Sequence, residues 1–220
     1  MVMKIFRESS IIFVVLMMIC TKSIAQENER EAAILFGLNQ PLLMGGFNVE
    51  LNYFTNRMAF DFSHGISLDF KGGLVTGSMK DQHLVAHLPY STGIGIGYRF
   101  APWINLRVEP KWHRFEIFYD DDEQIFANRI ISYNTFTLGL GLYGKWHPFK
   151  KKENFLRGIM IAPSVRFWPN VSSTLPGDQF SYANKITGQT ETQKVLNIGA
   201  NNTPWFINVS VGYSFGLKKN

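Results

Sequence analysis

The sequence is almost without cysteine. Its one cysteine, Cys20, lies in an N-terminal segment with a basic start, an apolar stretch at 11–19 and a small-x-small tripeptide at 23–25. These are the three parts of a secretory signal peptide, so we predict a signal peptide at 1–25 and a mature domain at 26–220. Without Cys20, the mature domain has no disulfide and no cysteine-ligated metal.

Long apolar runs are also scarce, which limits the alternatives for the N-terminal segment. A membrane-anchoring helix needs about 20 apolar residues, and the stretch is shorter than that. A lipoprotein would be acylated at Cys20, but the bulky Ile19 stands where that cleavage requires a small residue. The rest of the chain has no second stretch of transmembrane-helix length and no linker, which favours a single domain.

The net charge is low. The chain has 22 Lys and Arg against 17 Asp and Glu, a net charge of +5. The predicted signal peptide contributes Lys4, Arg7, Lys22 and Glu8, a net +2 of this +5, which leaves +3 for the mature domain. So mild a charge gives no support for nucleic acid as a partner.

The sequence does contain alternating segments in which one face is apolar and the other is polar or very small. Residues 205–215 alternate large apolar side chains with the set Asn208, Ser210, Gly212 and Ser214. That set cannot fill an apolar core, so the large face points outward, an arrangement that only a bilayer favours. The same alternation recurs at 47–53, 93–100 and 136–143.

Segments of this kind predict about eight strands. They lie at 32–39, 46–54, 58–70, 91–100, 104–119, 130–147, 156–168 and 204–217. Every second connection is tight or compact, whereas those at 71–90 and 169–203 are long. Short turns at one rim and longer loops at the other are typical of a membrane barrel with both ends in the periplasm. We therefore predict an all-β fold, a transmembrane up-and-down antiparallel β-barrel with short periplasmic turns and longer outer loops.

With this alternation and loop pattern, the chain resembles the small eight-stranded outer-membrane β-barrels of Gram-negative bacteria, of the OmpA-barrel, OmpX and OmpW type. The resemblance covers the chain after Ala25 and is one of architecture, without a functional motif. It implies a location in the outer membrane, with outer-membrane lipid and lipopolysaccharide as partners and envelope proteins as further candidates. One departure is that five residues, 216–220, follow Phe215, whereas such barrels often end on an aromatic residue.

Aromatic residues near strand ends predict two girdles at the membrane interfaces. One girdle would contain Tyr53, Trp103, Trp146 and Phe215, and the other Tyr119, Trp168 and Trp205.

Charged residues at inward positions predict a polar cluster in the lumen. The cluster comprises Glu50, Asp61, Arg99, Arg107, Glu109, Lys111, His113 and Arg166, with Asp69 at the same parity. We favour a salt-bridged plug that fills a narrow barrel, and a polar conduit or buried active site is the alternative. Because the apolar parity changes after His113, we also predict a β-bulge near His113 and Arg114.

Catalysis has weaker support in the sequence. The nearest candidate is His64 and Ser67 with Asp61 or Asp69, but His64 and Ser67 differ in parity. His83 and His87 lie in the third connection near Ser91 without a recognisable motif. We predict no catalytic residue.

Two charge runs have simple interpretations. The acidic run at 120–123 has the oxygen ligands that a hard cation needs, but in a loop we interpret it as a solvated surface. The lysines at 150–152 are interpreted as a solubilising periplasmic turn, with contact to anionic headgroups as the alternative. We predict no metal and no cofactor. The leading hypothesis is a structural or interaction role in the cell envelope; the alternatives are a narrow, porin-like channel for small solutes and a lipid-modifying enzyme.

Overall fold

A computed structural model of the chain describes residues 30–75 and 78–217. The predicted signal peptide at 1–25 lies outside these residues and stays a prediction. The strands are β1 Arg30–Gly37, β2 Phe47–Phe54, β3 Met58–Phe70, β4 Leu84–Ala101, β5 Ile104–Tyr119, β6 Ile131–Gly144, β7 Ile159–Phe167, β8 Asn170–Ser173, β9 Gln179–Ala183, β10 Thr190–Lys194 and β11 Trp205–Leu217.

Within residues 30–75 and 78–217, helical structure is confined to short segments in the connections. They are a π-helix at Gln40–Met44, one α-helical turn, α1, at Ser78–Asp81, and 3-10 turns at Gly72–Leu74, Phe126–Asn128, Phe155–Gly158, Pro176–Asp178 and Ala200–Asn202. None of the helices in the described parts of the chain is long and apolar enough to cross a membrane.

Eight strands close into a ring. Strands β1 to β6 pair in sequence order, β6 pairs with β7, β7 with β11, and β11 with β1, and every pairing is antiparallel. Strand β8 continues the line of β7 and pairs with the far part of β6. The predicted fold class, an all-β closed antiparallel barrel of eight strands, is confirmed.

The two rims of the barrel differ. We call the rim with the connections 55–57, 102–103 and 145–158 the turn end, and the opposite rim the loop end. Strands β1 and β2 have 8 residues each, whereas β3, β4 and β5 have 13, 18 and 16. Since a tilted strand crosses a bilayer in about 9–11 residues, the β3–β5 wall is tall enough to project at the loop end.

The long connections are more structured than the sequence predicted. Strand β4 begins at Leu84 rather than at 91, so the third connection is 71–83. The last connection contains β8 and the hairpin β9–β10. Strands of four or five residues among turn residues are too short to show a clear alternation, which is why the prediction missed them.

Alternation puts large apolar side chains on the outside of the ring. Leu51, Ile94 and Leu140 are 48%, 52% and 51% exposed on three different strands. The apolar belt consists of Phe36, Phe47, Leu51, Phe60, Phe62, Ile94, Ile96, Leu106, Val108, Leu138, Leu140, Leu142, Val165 and Ile207. Charged, amide and hydroxyl side chains on the same strands are buried inside, where an eight-stranded barrel has just enough room for side chains.

The interior becomes apolar at the loop end. Phe115, Tyr133 and Phe180 form an aromatic stack there, with ring centroids 5.2 Å and 5.8 Å apart. We call the whole group the apolar cap; it consists of Met44, Leu68, Phe70, Val75, Met79, Leu84, Ala86, Leu88, Phe115, Ile117, Tyr133, Trp168, Phe180, Tyr182, Val195, Leu196, Ile198 and Phe206. The long connections supply several of its members, so they close the barrel with a core like that of a soluble domain.

The predicted bulge at His113 and Arg114 is wrong. Strand β5 pairs with β6 through these residues without a shift, and the register shift lies in β4, between His87 and Ser91. Phe115 stays on the inner face with His113. The pattern of the sequence changes at this point because the interior itself changes from polar to apolar.

The inward position predicted for Asp69 is also wrong. Ser67 has a left-handed φ of 56°, and beyond it Leu68 and Phe70 face the apolar cap. Asp69 is therefore on the outside, where it contacts His87. The left-handed residue exchanges the two faces of β3 at this point, although the register with β4 is the same at Ile66 and at Leu68.

Candidate functional site

Two ion pairs lie inside the polar part of the lumen. Glu50 on β2 accepts a hydrogen bond from Arg166 Nη2 on β7 at 2.9 Å, and Asp61 on β3 accepts one from Arg107 Nη1 on β5 at 3.0 Å. All four side chains are at most 4% exposed. Neither pair joins neighbouring strands, so each ties together parts of the ring that the backbone hydrogen bonds do not connect.

Glycines on the intervening strand make room for the Asp61–Arg107 pair. Gly95 on β4 pairs in register with Asp61, and Gly97 with Arg107. A Cβ atom on Gly95 would overlap the Asp61 carboxylate, and one on Gly97 would come within 2.6 Å of Arg107 Cγ. The small inward residues of β4 are therefore required by the charged side chains beside them.

The two guanidinium groups share one aromatic ring. The Tyr143 ring centroid lies 4.0 Å from Cζ of Arg107 and 4.6 Å from Cζ of Arg166. Arg107 also donates to Asn52 Oδ1 at 2.7 Å, and Arg166 donates to Ser164 Oγ at 2.9 Å. Each buried cation is thus satisfied by a carboxylate, a neutral acceptor and a ring face, which is what burial of a charge requires.

Glu109 is fully buried and is held by neutral donors. Its Oε1 accepts a hydrogen bond from the Tyr143 hydroxyl, and its Oε2 accepts one from Trp168 Nε1 at 3.1 Å. Within the described residues, Glu109 forms no ion pair. Lys111 Nζ donates to Ser63 Oγ at 2.6 Å and lies 4.3 Å from the Trp168 ring centroid.

His113 marks the upper limit of the polar cluster. Its Nδ1 is 2.8 Å from Ser91 Oγ and its Nε2 is 3.1 Å from Thr137 Oγ1. Its next inward neighbour on β5, Phe115, belongs to the apolar cap. Two hydroxyl partners satisfy both ring nitrogens of a neutral imidazole.

Arg99 lies at the turn-end edge of the predicted cluster, where it donates to the carbonyl oxygens of Thr55 and Pro102. Its Cζ is 5.7 Å from the Phe54 ring centroid, and Cζ of Arg107 is 5.6 Å from the same centroid. The structure therefore brings together Glu50, Asp61, Arg107, Glu109, Lys111, His113 and Arg166, with Arg99 at their turn-end edge.

A second group of buried charges at the turn end was not predicted. Glu31 on β1 forms ion pairs with Lys145 and, at 2.9 Å, with His147. The first strand was predicted to begin at residue 32, which left Glu31 in the lead segment. The signal was present in the sequence, since Glu31 continues the inward parity of Ala33 and Leu35.

Trp168 is a lumen residue, and its predicted place in an outer girdle is wrong. It is 3% exposed, on the same face as Arg166. Its ring stacks on Phe206 of the apolar cap, with centroids 5.5 Å apart, while its Nε1 reaches Glu109 below. The prediction used the position of Trp168 near a strand end and ignored its parity. Trp168 forms the boundary between the polar cluster and the apolar cap.

One small cavity lies at this boundary. Its volume is about 20 Å³, and its lining includes Gln40, Ser91, Lys111, Arg166 and Trp168. A volume of this size holds about one water molecule.

The predicted catalytic candidates do not form a site. His64 faces outward, with its Nδ1 2.7 Å from Thr92 Oγ1. His87 Nδ1 lies 2.6 Å from Asp69 Oδ1, but no described hydroxyl is hydrogen-bonded to that histidine. His83 precedes β4, and no group of metal-binding side chains occurs among the described residues.

Basic residues lie beside the acidic run of the connection 120–130 at the loop end. Asp120 contacts Lys71 at 3.4 Å, and Asp122 contacts Lys185 at 3.8 Å. The Lys185 ammonium also lies 3.7 Å from the Tyr119 ring centroid. The two contacts of Lys185 attach the turn of hairpin β9–β10 to the end of β5 and the connection that follows it.

At the loop end, the last connection is hydrogen-bonded to the barrel, and apolar side chains are exposed at the tips of the connections. Leu196 N donates to the Tyr133 hydroxyl at 3.2 Å, and Lys185 N donates to Gln82 Oε1 at 2.6 Å, so the last connection is held on the barrel. Phe126 and Ile186 are 82% and 75% exposed at the tips.

The comparisons with known proteins add little to this description. No protein-family model matches the sequence, and no curated protein matches it. Two crystal structures of Ail, the attachment invasion locus protein of Yersinia pestis, one in complex with the heparin analogue sucrose octasulfate, align over 85% of this chain and 99% of theirs. Their identity is 14%, with TM-scores of 0.40 and 0.39. A major outer membrane protein from Thermus thermophilus aligns over 86% of this chain and 100% of its own, at 11% identity and a TM-score of 0.43. At these values the assignment of the fold rests on the closed ring of strands and not on the alignments.

Proposed function

We propose that this protein is an integral outer-membrane β-barrel with a structural or interaction role in the cell envelope. Its lumen is closed, and its loop end faces the cell surface. The single observation that supports this best is the inversion of the barrel, with apolar side chains outside and paired charges inside. The proposal includes removal of a signal peptide at 1–25.

The apolar belt supports a membrane location. Soluble monomers rarely expose a contiguous apolar patch larger than a few hundred Å². The belt runs around the ring, and a closed barrel leaves no unpaired strand edge in the lipid. The tryptophans Trp103 and Trp146, 62% and 60% exposed at the turn end, and Trp112 and Trp205, 49% and 57% exposed toward the loop end, suit the two interfaces.

The packing of the lumen favours a plug over a channel. A conduit needs a continuous water path, whereas the ion pairs, the Tyr143 ring and Trp168 fill the interior of the described barrel. The apolar cap closes the loop end above them.

Interaction through the loop end fits better than catalysis. An enzyme needs a nucleophile, a base and an orienting group in contact. Among the described residues, His64 contacts the Thr92 hydroxyl but no carboxylate, and His87 contacts the Asp69 carboxylate but no hydroxyl. The anchored loops with exposed tips instead form a stable surface for outer-membrane lipid, lipopolysaccharide or an envelope protein.

The test is single-channel conductance of the refolded protein in a planar bilayer, alongside Glu109→Ala. Heat-dependent migration on a gel would show that each sample is a folded barrel. We expect both proteins to be electrically silent. A steady conductance that changes with Glu109→Ala would refute the closed lumen and put the channel hypothesis first.

A further inference from the structure

The turn end carries an excess of exposed positive charge. The connection 145–158 contains Lys145, Lys150, Lys151, Lys152 and Arg157 against a single acidic residue, Glu153. Lys145 is buried with Glu31, but the lysines at 150–152 are exposed and form no ion pair within the described residues. At the loop end, by contrast, the connection 120–130 has four acidic residues and one arginine.

This connection has a defined shape. Lys150 N donates to His147 O at 3.3 Å, and Lys152 N donates to Phe149 O at 2.8 Å, which forms a turn with the lysines at its tip. Asn154 Oδ1 then accepts a hydrogen bond from Leu156 N at 3.1 Å and begins the 3-10 turn that comes next. The three ammonium groups are thus presented from one ordered turn.

Exposed aromatic residues flank the lysines on both sides. Trp146 and Phe149 precede them at 60% and 39% exposure, and Phe155 follows at 73%. Trp103 lies beside them, because Lys145 N donates to its carbonyl oxygen. Three large exposed aromatic side chains do not make a turn more soluble. Aromatic side chains interspersed with lysines are instead typical of a membrane interface.

We infer that the connection 145–158 is a binding site for the anionic headgroups of phospholipids in the leaflet at the turn end. The aromatic rings lie at the level of the headgroups, and Lys150, Lys151 and Lys152 contact the lipid phosphates. The continuity of Trp103 and Trp146 with the apolar belt favours lipid over a soluble polyanion. The inference rests on the proposed membrane location.

The site is tested by lipid preference around the reconstituted barrel. Brominated lipids quench tryptophan fluorescence at short range, so a protein with Trp112→Phe and Trp205→Phe reports on the turn end through Trp103 and Trp146. The third remaining tryptophan, Trp168, is 3% exposed inside the lumen and adds a background that is the same in every variant. Quenching by brominated phosphatidylglycerol and by brominated phosphatidylcholine in mixed nanodiscs yields the relative binding constant of the two lipids. Since one lysine near an anionic surface is worth roughly fivefold in binding, we expect at least a fivefold preference for the anionic lipid at low salt.

Three variants test whether the charge of the lysines, and not a change in folding, produces the preference for anionic lipid. Changing the three lysines at 150–152 to glutamine should bring the preference to within about twofold of unity, and changing them to arginine should keep it. The matched control changes Lys71, Lys80 and Lys194 at the loop end to glutamine and should keep the full preference. Heat-dependent gel migration shows that each variant is folded.

The possible outcomes distinguish failure of the lipid-binding site from failure of the proposed membrane location. Normal quenching by brominated phosphatidylcholine without an anionic preference, or a preference that survives the glutamine variant, would overturn the lipid site alone. Absence of quenching by either lipid would overturn the membrane location on which it rests.

Discussion

An arginine at Leu140 tests the lipid-facing belt directly. Leu140 is 51% exposed on β6 and pairs in register with Val108 and Phe167, so its side chain lies within the belt. It is four residues from the end of β6 at Gly144. At about 3.3 Å per residue and a tilt near 40°, this places it roughly 10 Å above the turn-end rim, near the middle of a belt about 25 Å tall.

The expected cost of Leu140→Arg depends on what surrounds the barrel. In a bilayer, arginine at the midplane of a barrel costs about 2–4 kcal/mol. In water, a substitution at a half-exposed surface position changes stability by about 0.5 kcal/mol or less. An equilibrium folding titration in denaturant with lipid vesicles measures the difference.

Two control substitutions calibrate the result. Phe126→Arg, in the connection 120–130 where Phe126 is 82% exposed, should be nearly neutral. Trp103→Arg at the rim should cost about 0–1 kcal/mol, because the penalty falls toward the interface. If Leu140→Arg costs no more than Phe126→Arg, the assignment of the outer face to lipid is refuted.

The buried pair Glu50–Arg166 should be sensitive to removal of one partner: Arg166→Met is expected to destabilise by about 3–5 kcal/mol, and adding Glu50→Gln should recover part of that loss in the same titration. Equal stability of the single and double variants would contradict the pairing. Gly95→Ala should cost about 1–3 kcal/mol because its methyl group meets the Asp61 carboxylate, whereas Gly73→Ala, with open space around it, should be tolerated. Similar urea midpoints for the two alanine variants would contradict the close packing. Finally, the unboiled protein should migrate differently from the boiled protein on a gel, and identical migration would argue against a closed barrel.

The architecture was determined by the sequence alone. Successive side chains of a strand alternate between its two faces, so the sequence of one strand shows which face is apolar. The residues 205–215 and 136–143 showed this without knowledge of the strands beside them. The positions of the short turns followed from the same alternation. The strand count came from the number of alternating segments, and the tight turns between them predicted antiparallel neighbours.

The filling of the lumen was decided by tertiary structure. Alternation identified inward residues, but it did not reveal that Glu109 would be held by Tyr143 and Trp168, because those contacts join residues that are 34 and 59 positions apart. The same holds for the apolar cap, which forms only when the long connections fold back over β3 to β6. Its core caused the change of pattern at His113 that was wrongly interpreted as a bulge.

Asp69 shows why parity along a strand is insufficient. It left the lumen because of one left-handed residue, Ser67, whose conformation no local pattern indicated. Trp168 follows the inward parity of Arg166, but only the tertiary structure shows that its indole ring fits between Glu109 and Phe206. The period of a strand is a local property and can be taken from the sequence, whereas the fit of side chains across a closed ring depends on strands far apart in the chain.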